Sequence, residues 1–205
     1  MRIVMSNFKL LGNVDGIEIL KSIERAGRVC YKSEDKITDI SAARFVKNII
    51  KRGHESVLEH QSISILLTCD RGVSHEVVRH RIAAYSQEST RYCNYGGEGI
   101  TVISIREFFI NPHSFDVWFS AMINCERAYL DLLKNGESPQ IARSVLPNSL
   151  KTEIVITYNM REWRHFLKLR TSAAAHPQMR EIALQILYTF RELIPIIFDD
   201  INYEK

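Results

Sequence analysis

The residues best suited to chemistry gather in one stretch, Arg79-His80-Arg81-Ile82-Ala83-Ala84-Tyr85-Ser86-Gln87-Glu88-Ser89-Thr90-Arg91-Tyr92. Three arginines and a histidine share it with the hydroxyls of Ser86, Ser89 and Thr90, against a single acidic side chain, Glu88. Arginine presents a planar fork of donors matched to phosphate or carboxylate. Uncompensated forks beside hydroxyl donors make a phosphate cradle. The competing reading is a solvated polar loop, and spacing alone leaves both open. A second group runs from Thr157 to Arg170, where a strand passes into a helix. Arg161 and His165 stand four apart and share a helix face, while Trp163, Phe166, Leu167 and Leu169 supply the buried side. Asn159 falls at the N-cap, and capping is its simpler role.

Other chemistries find little support. His54-Glu55-Ser56-Val57-Leu58-Glu59-His60 places its histidines six apart, not the four that put both zinc ligands of HExxH on one helix face. With no cysteine cluster beside it, a zinc site is rejected. Ser89 lacks a GxSxG elbow, and none of Cys30, Cys69, Cys93 or Cys125 sits in a nucleophile context. Neither GxGxxG nor GxxxxGK[ST] occurs, so any nucleotide must be held by side chains.

The elements that position these groups follow from periodicity. Apolar residues at helical spacing predict helices over 15–29 and 39–52, a short helical stretch over 73–80, a long helix over 113–135 ending at Gly136, a short one from Pro139 to Arg143, and helices over 161–171 and 177–194. Alternation and β-branching predict strands over 2–6, 61–70, 100–105 and 151–159. No repeat, low-complexity tract or linker interrupts the chain. The expected fold is α+β, a mostly antiparallel sheet flanked by helices, in one domain over 1–205.

Composition sets the outer bounds. The chain has 205 residues, 45% of them hydrophobic and 25% charged, which excludes disordered and fibrous classes. No apolar run approaches the roughly 20 residues of a membrane span, and the start lacks the pattern of a secretory signal. Scattered cysteines without CxxC suit reduced thiols, so a cytoplasmic location is expected. A net charge of +3 does not call for nucleic acid, and the arginines, 17 of the 27 basic residues, suggest small anionic ligands.

Taken together, the motifs resemble those of the flavin-dependent thymidylate synthases. Arg79, His80, Arg81, Ser89 and Arg91 match the RHRxxSxNxxSxR signature, with Ala84 and Ser86 in place of its first Ser and its Asn. His54, Ser56, Glu59 and His60 fit HxSxxEH; Ala142-Arg143 and Leu146-Pro147 fit ARxxLP; Thr157, Asn159, Arg161, Phe166, Leu169 and Arg170 fit TxNxR…FxxLR, followed by Arg180. The four motifs occur in matching order over about residues 50–185.

The resemblance implies methylation of dUMP to dTMP, with methylenetetrahydrofolate as carbon donor, NADPH as reductant and FAD as hydride carrier. It also implies a homotetramer whose active sites draw on several subunits. By the same carry-over, Arg79, His80, Arg81, Gln87, Asn159, Arg161 and His165 hold FAD, with Ser56 reaching it from a neighbouring subunit. Glu76, Arg79, Gln87, Glu88, Ser89, Thr90, Arg91 and Arg143 hold dUMP, its phosphate on Ser89, Arg91 and Arg143. Arg170 faces the uracil as the catalytic group. Arginine stays protonated at any working pH, so it stabilises an ionised imide instead of acting as a base. Four departures are visible: Ala84 loses a hydroxyl, Ser86 shortens an amide, Gln87 is neutral where an acid can occur, and the family's AQxEIR reads Ala175-His176-Pro177-Gln178-Met179-Arg180. The alternatives from other classes are a flavin- or nucleotide-binding protein without turnover and an RNA-binding module. Three arginines beyond the needs of flavin binding argue against the first, and the weak basic excess argues against the second.

Overall fold

The computed structural model describes residues 1–203. The chain divides into two compact units: one comprises Met1–Phe8, Leu66–Arg79 and Tyr85–Val155, the other Lys9–Ile65, His80–Ala84 and Ile156 onward. In order, the elements are β1 (Arg2–Val4), β2 (Asn7–Leu11), α1 (Gly16–Val29), α2 (Ser41–Lys51), β3 (Ser62–Asp70), α3 (Arg71–Val77), β4 (Ala83–Gln87), β5 (Thr101–Ile103), α4 (Pro112–Lys134), α5 (Pro139–Ala142), β6 (Lys151–Asn159), α6 (Met160–Arg170) and α7 (Pro177–Leu193). Short 3₁₀ segments occupy Glu34–Lys36, Glu55–His60, Arg106–Phe108 and Arg143–Val145.

Four strands form a sheet in the order β2-β3-β6-β4. β3 and β6 run antiparallel: Gln61 O accepts from Met160 N, Ser64 Oγ meets Thr157 Oγ1 at 2.7 Å, and Leu150 O accepts from Arg71 N. Both strands bury alternate residues, as strands covered on one face must. The expected antiparallel sheet is therefore present. The second sheet departs from it, because β1 pairs with β5 in parallel, Ile3 opposite Val102. β2 and β4 stand at the edges of the larger sheet and were not expected. Both are short, and β4 reads Ala-Ala-Tyr-Ser-Gln, a stretch with no buried residue to mark it.

Each unit has its own core. In the first, Ile100, Val102, Met122, Tyr129, Ala142 and Leu150 pack together. In the second, aromatic rings interlock: Tyr158 lies 4.6 Å from Trp163, Trp163 lies 5.0 Å from Phe190, and Phe190 lies 5.2 Å from Phe198. Trp163 Nε1 donates to Ile63 O, so its polar edge is satisfied inside that core. Helix ends are chemically marked. Asp15, Asn111 and Asn159 accept from first-turn amides, and Gly136 follows α4 at φ +89°. No helix of the described residues is long and apolar enough to cross a membrane, and all four cysteines are free thiols.

Candidate active site

In the first unit, the turn after β4 places the expected phosphate ligands. Ser89 O accepts from Tyr92 N and Cys93 N, and Ser89 Oγ accepts from Arg91 N at 3.3 Å, which folds Ser89–Arg91 into a tight turn. Thr90 is buried and accepts at Oγ1 from Arg143 Nη1 at 3.3 Å. Arg91 Nε donates to Gln140 Oε1 at 3.3 Å, and its guanidinium lies over the Tyr92 ring. A cleft of about 620 Å³ is lined by Thr90, Arg143, Arg71, His75, Gln140 and Ser144, among others, without any carboxylate, and the side chains of Ser89 and Arg91 are not part of its lining. Arginine forks, hydroxyls and amides with no competing anion suit a phosphate monoester. Sequence reasoning reached Thr90 and Arg143. It missed Arg71, His75, Gln140 and Ser144, which no motif joins and only the chain path assembles.

Four other expected dUMP ligands lie in that unit, and two of them are held by neighbouring side chains. Gln87 Nε2 donates to Ser74 Oγ at 2.9 Å and to Thr152 Oγ1 at 3.2 Å. Glu88 accepts from Tyr95 Oη at 2.8 Å and pairs with Lys151 Nζ at 3.2 Å. Burial and Glu88 together push the Tyr95 hydroxyl well above the usual tyrosine range, so Tyr95 donates its proton throughout neutral pH. Glu76 is half-buried on α3, and Arg79 is exposed after it.

In the second unit, α6 assembles a buried polar relay. Asn159 Oδ1 accepts from Glu162 N at 2.8 Å, capping the helix, and the Glu162 side chain turns inward to His80. His80 Nδ1 lies 2.9 Å from Glu162 Oε1, and Arg170 Nε donates to His80 Nε2 at 3.1 Å. A guanidinium can only donate. His80 Nε2 therefore carries a lone pair, its proton sits on Nδ1 facing the carboxylate, and the ring is neutral. Burial lowers the imidazole below its ordinary range, the hydrogen bond to Glu162 opposes that, and the Arg170 charge lowers it again, in keeping with this tautomer. The ring packs edge-on to Phe166 at 5.0 Å and lies 5.5 Å from His165.

A cleft of about 490 Å³ in the same unit is lined by Asn159, Arg161, His165, Ile82, Glu59 and Glu162, among others. Arg161 Nη1 pairs with Glu59 Oε1 at 2.6 Å, and that hydrogen bond raises the arginine further. Arg164 is buried, bound bidentately to Asp200 at 2.6 and 2.8 Å and to Glu55 at 3.2 Å. The cleft's Arg161, Arg164 and Lys168 are balanced by Glu55, Glu59 and Glu162. Such a balance suits an uncharged, hydrogen-bonding ring better than an anion. Arg81 and Ser56 are both exposed in this unit. Donor atoms of His80, Glu162 and His165 lie within 4.8 Å of one another. The Arg170 charge beside His80 opposes a cation there.

The relay through Glu162 was not foreseen. Glu162 stands 82 residues from His80, and no motif quoted above includes it.

Comparison with known proteins places these clefts in context. The family model described as thymidylate synthase complementing protein matches residues 14–196. A flavin-dependent thymidylate synthase of Geobacter sulfurreducens is 36% identical over 186 residues, covering 87% of this chain and 80% of its own. That of Corynebacterium glutamicum is 33% identical, covering 94% and 82%. The chain also superposes on the UMP/dUMP methylase PolB of Streptomyces cacaoi, solved with 5-Br dUMP, at a TM-score of 0.83 over 97% of this chain and 96% of that one. At 20% identity, that likeness establishes the fold.

Proposed function

Because the chain belongs to the flavin-dependent thymidylate synthase family, we propose that it methylates dUMP to dTMP, with methylenetetrahydrofolate as carbon donor and NADPH as reductant. The observation that carries the substrate is the carboxylate-free cleft around Thr90 and Arg143. Arg143, Arg91, Ser89 and Thr90 take the phosphate. Glu76, Arg79, Gln87 and Glu88 frame the nucleotide, with the side chains of Gln87 and Glu88 braced against Ser74, Thr152, Tyr95 and Lys151.

Arg170 is assigned to the uracil, where a permanent charge stabilises the ionised imide and so activates the ring without an enzyme nucleophile. His80 works chiefly as a strut: neutral, proton on Nδ1, it receives Arg170 Nε and fixes the guanidinium plane. FAD, when bound, supplies the redox chemistry. Asn159, Arg161 and His165 would border its ring, Arg79 and Arg81 would hold its remaining polar groups, and Ser56 would reach it from another subunit; His80, expected to hold FAD as well, has both ring nitrogens bound to protein and acts through Arg170 instead.

The family match spans segments of both compact units, which supports reading residues 1–205 as one synthase domain. A homotetramer is supported by apolar side chains left uncovered along α4 and its approach: Ile110, Val117 and Phe119 are exposed. The location is cytoplasmic, and neither nucleic acid nor membrane is a partner.

The test is dTMP formation from dUMP by purified protein with FAD and methylenetetrahydrofolate, with and without NADPH. Product that requires NADPH is expected. A yellow protein that makes no dTMP would refute the synthase and leave a flavin-binding protein.

A further inference from the structure

A third cavity, about 690 Å³, lies within the second unit between the end of α1, the 33–38 segment and α2. It contains none of the residues assigned above. One wall follows from helical spacing: Arg44, Asn48 and Arg52 recur every four residues on a single face of α2, while Ala42 and Val46 turn into the core. Arg28, Tyr31 and Lys36 form the facing side.

Its charge is one-sided. No carboxylate lines it. Arg28 is already neutralised, since Nε and Nη2 donate to the buried Glu24 at 3.1 and 2.7 Å, and its guanidinium covers the Phe45 ring. Lys36, Arg44 and Arg52 enter no ion pair among the described residues. The acidic residues of the connecting segment, Glu34, Asp35 and Asp39, are exposed and stand outside the lining. Tyr31, 76% exposed, lines the same cavity as Lys36, Arg44 and Arg52 and offers it an aromatic face. Ring stacking next to guanidinium forks is the chemistry that recognises a phosphorylated nucleoside.

We propose that this cavity seats the 2′-phosphorylated adenosine end of the nicotinamide dinucleotide reductant. The proposal rests on the synthase reading. That reading gives the dUMP phosphate its own cleft in the other unit, so a second phosphate site needs another owner. The cavity also runs to His54, two residues before Ser56, the residue assigned to the flavin. A ligand anchored here by its phosphates thus has the segment leading to Ser56, and to the flavin assigned to it in a neighbouring subunit, at one end of its cavity. Selection of NADPH over NADH follows, because the extra phosphate is what Lys36, Arg44 and Arg52 recognise.

The experiment titrates 2′,5′-ADP into FAD-loaded enzyme, so that adenosine sites used by FAD are filled. Alongside it, anaerobic flavin reduction by NADPH and by NADH is followed in wild type, in Arg44→Gln/Arg52→Gln and in Lys36→Gln, which lies on a different segment. Expected are binding of 2′,5′-ADP, a loss of at least about tenfold in that affinity and in kcat/KM for NADPH in the double variant, and little change for NADH. FAD content and dUMP affinity should match wild type. Failure of 2′,5′-ADP to bind, or equal losses for NADPH and NADH, would overturn the proposal. So would a loss confined to polyglutamylated methylenetetrahydrofolate, which would give the cavity to the folate tail. Charge-dependent 2′,5′-ADP binding by a protein that makes no dTMP would sustain the site and refute the synthase.

Discussion

Removal of the Glu162 carboxylate tests the relay that holds Arg170. His80 is 5% exposed and Glu162 7%, so water does not replace the lost acceptor when Glu162→Ala is made. A buried N–H left without a partner costs about 1–3 kcal/mol. The imidazole escapes that cost by moving its proton to Nε2, where it meets the Arg170 Nε–H now 3.1 Å away, and two donors then oppose each other. Arg170 loses its support either way. If the same 1–3 kcal/mol is withdrawn from the transition state, kcat falls about 5- to 150-fold, with FAD content and dUMP affinity little changed.

Glu162→Gln keeps an acceptor oxygen but not the charge, so its kcat at neutral pH should stay within a few-fold of wild type. Its pH profile separates a relay from mere packing. His80 functions neutral, so activity falls as pH drops through its pKa. The Glu162 charge raises that pKa. Its removal therefore moves the acid limb of kcat to lower pH. Imidazole ¹⁵N shifts should report Nδ1–H in wild type. A Glu162→Ala enzyme with wild-type kcat, or an acid limb unmoved in Glu162→Gln, would refute the relay. The same group affects stability. Because its folded pKa is depressed, the contribution of neutral His80 is full above about 6.5 and is lost as pH falls below that value.

Four further outcomes are expected. Ser89→Ala should weaken dUMP binding about fivefold to tenfold while retaining turnover, because one hydroxyl of a multi-ligand phosphate site is lost; inactivity with intact dUMP binding would make Ser89 a nucleophile. Arg164→Met should lower stability by about 1–3 kcal/mol, because it removes the guanidinium that Asp200 and Glu55 share and leaves the Ile197 carbonyl without its donor. Denaturant titration checks this, and since Arg164 holds Asp200 below the usual carboxylate range, the part of the wild-type advantage due to Asp200 should begin to fall as pH enters that range and be lost only as pH drops through the depressed Asp200 pKa. Gly16→Ala should destabilise by about 2 kcal/mol or more, because the new Cβ is driven into the Leu193 carbonyl; a Tm at or above wild type would refute that packing. Burial pushes the Cys69 thiol far above its usual range, so iodoacetamide should label exposed Cys30 while the native fold protects Cys69.

The relay also changes how the Arg79-His80-Arg81 triplet is read. The flanking arginines are exposed and available to anions, whereas the histidine between them faces inward and binds protein on both ring nitrogens. Adjacent members of one motif thus serve different ends.

Residue order by itself determined the helices, the two long strands and the family. Helix and strand periodicities report directly which face each segment buries, and α1, α2, α4, α7, β3 and β6 fall within a few residues of expectation. The motif series likewise named Thr90, Arg143, Asn159, Arg161 and His165, all of which line clefts in the structure. Tertiary structure decided the rest. β4 has too little apolar pattern to announce itself and exists because β6 offers it a hydrogen-bonding edge. β1 and β5 pair in parallel across about a hundred residues, a choice local propensity does not encode. His80, Glu162 and Arg170 become one relay for the same reason. A hydrogen bond depends on where two atoms meet, and only the packing of α6 brings a carboxylate and a guanidinium to opposite nitrogens of one buried ring.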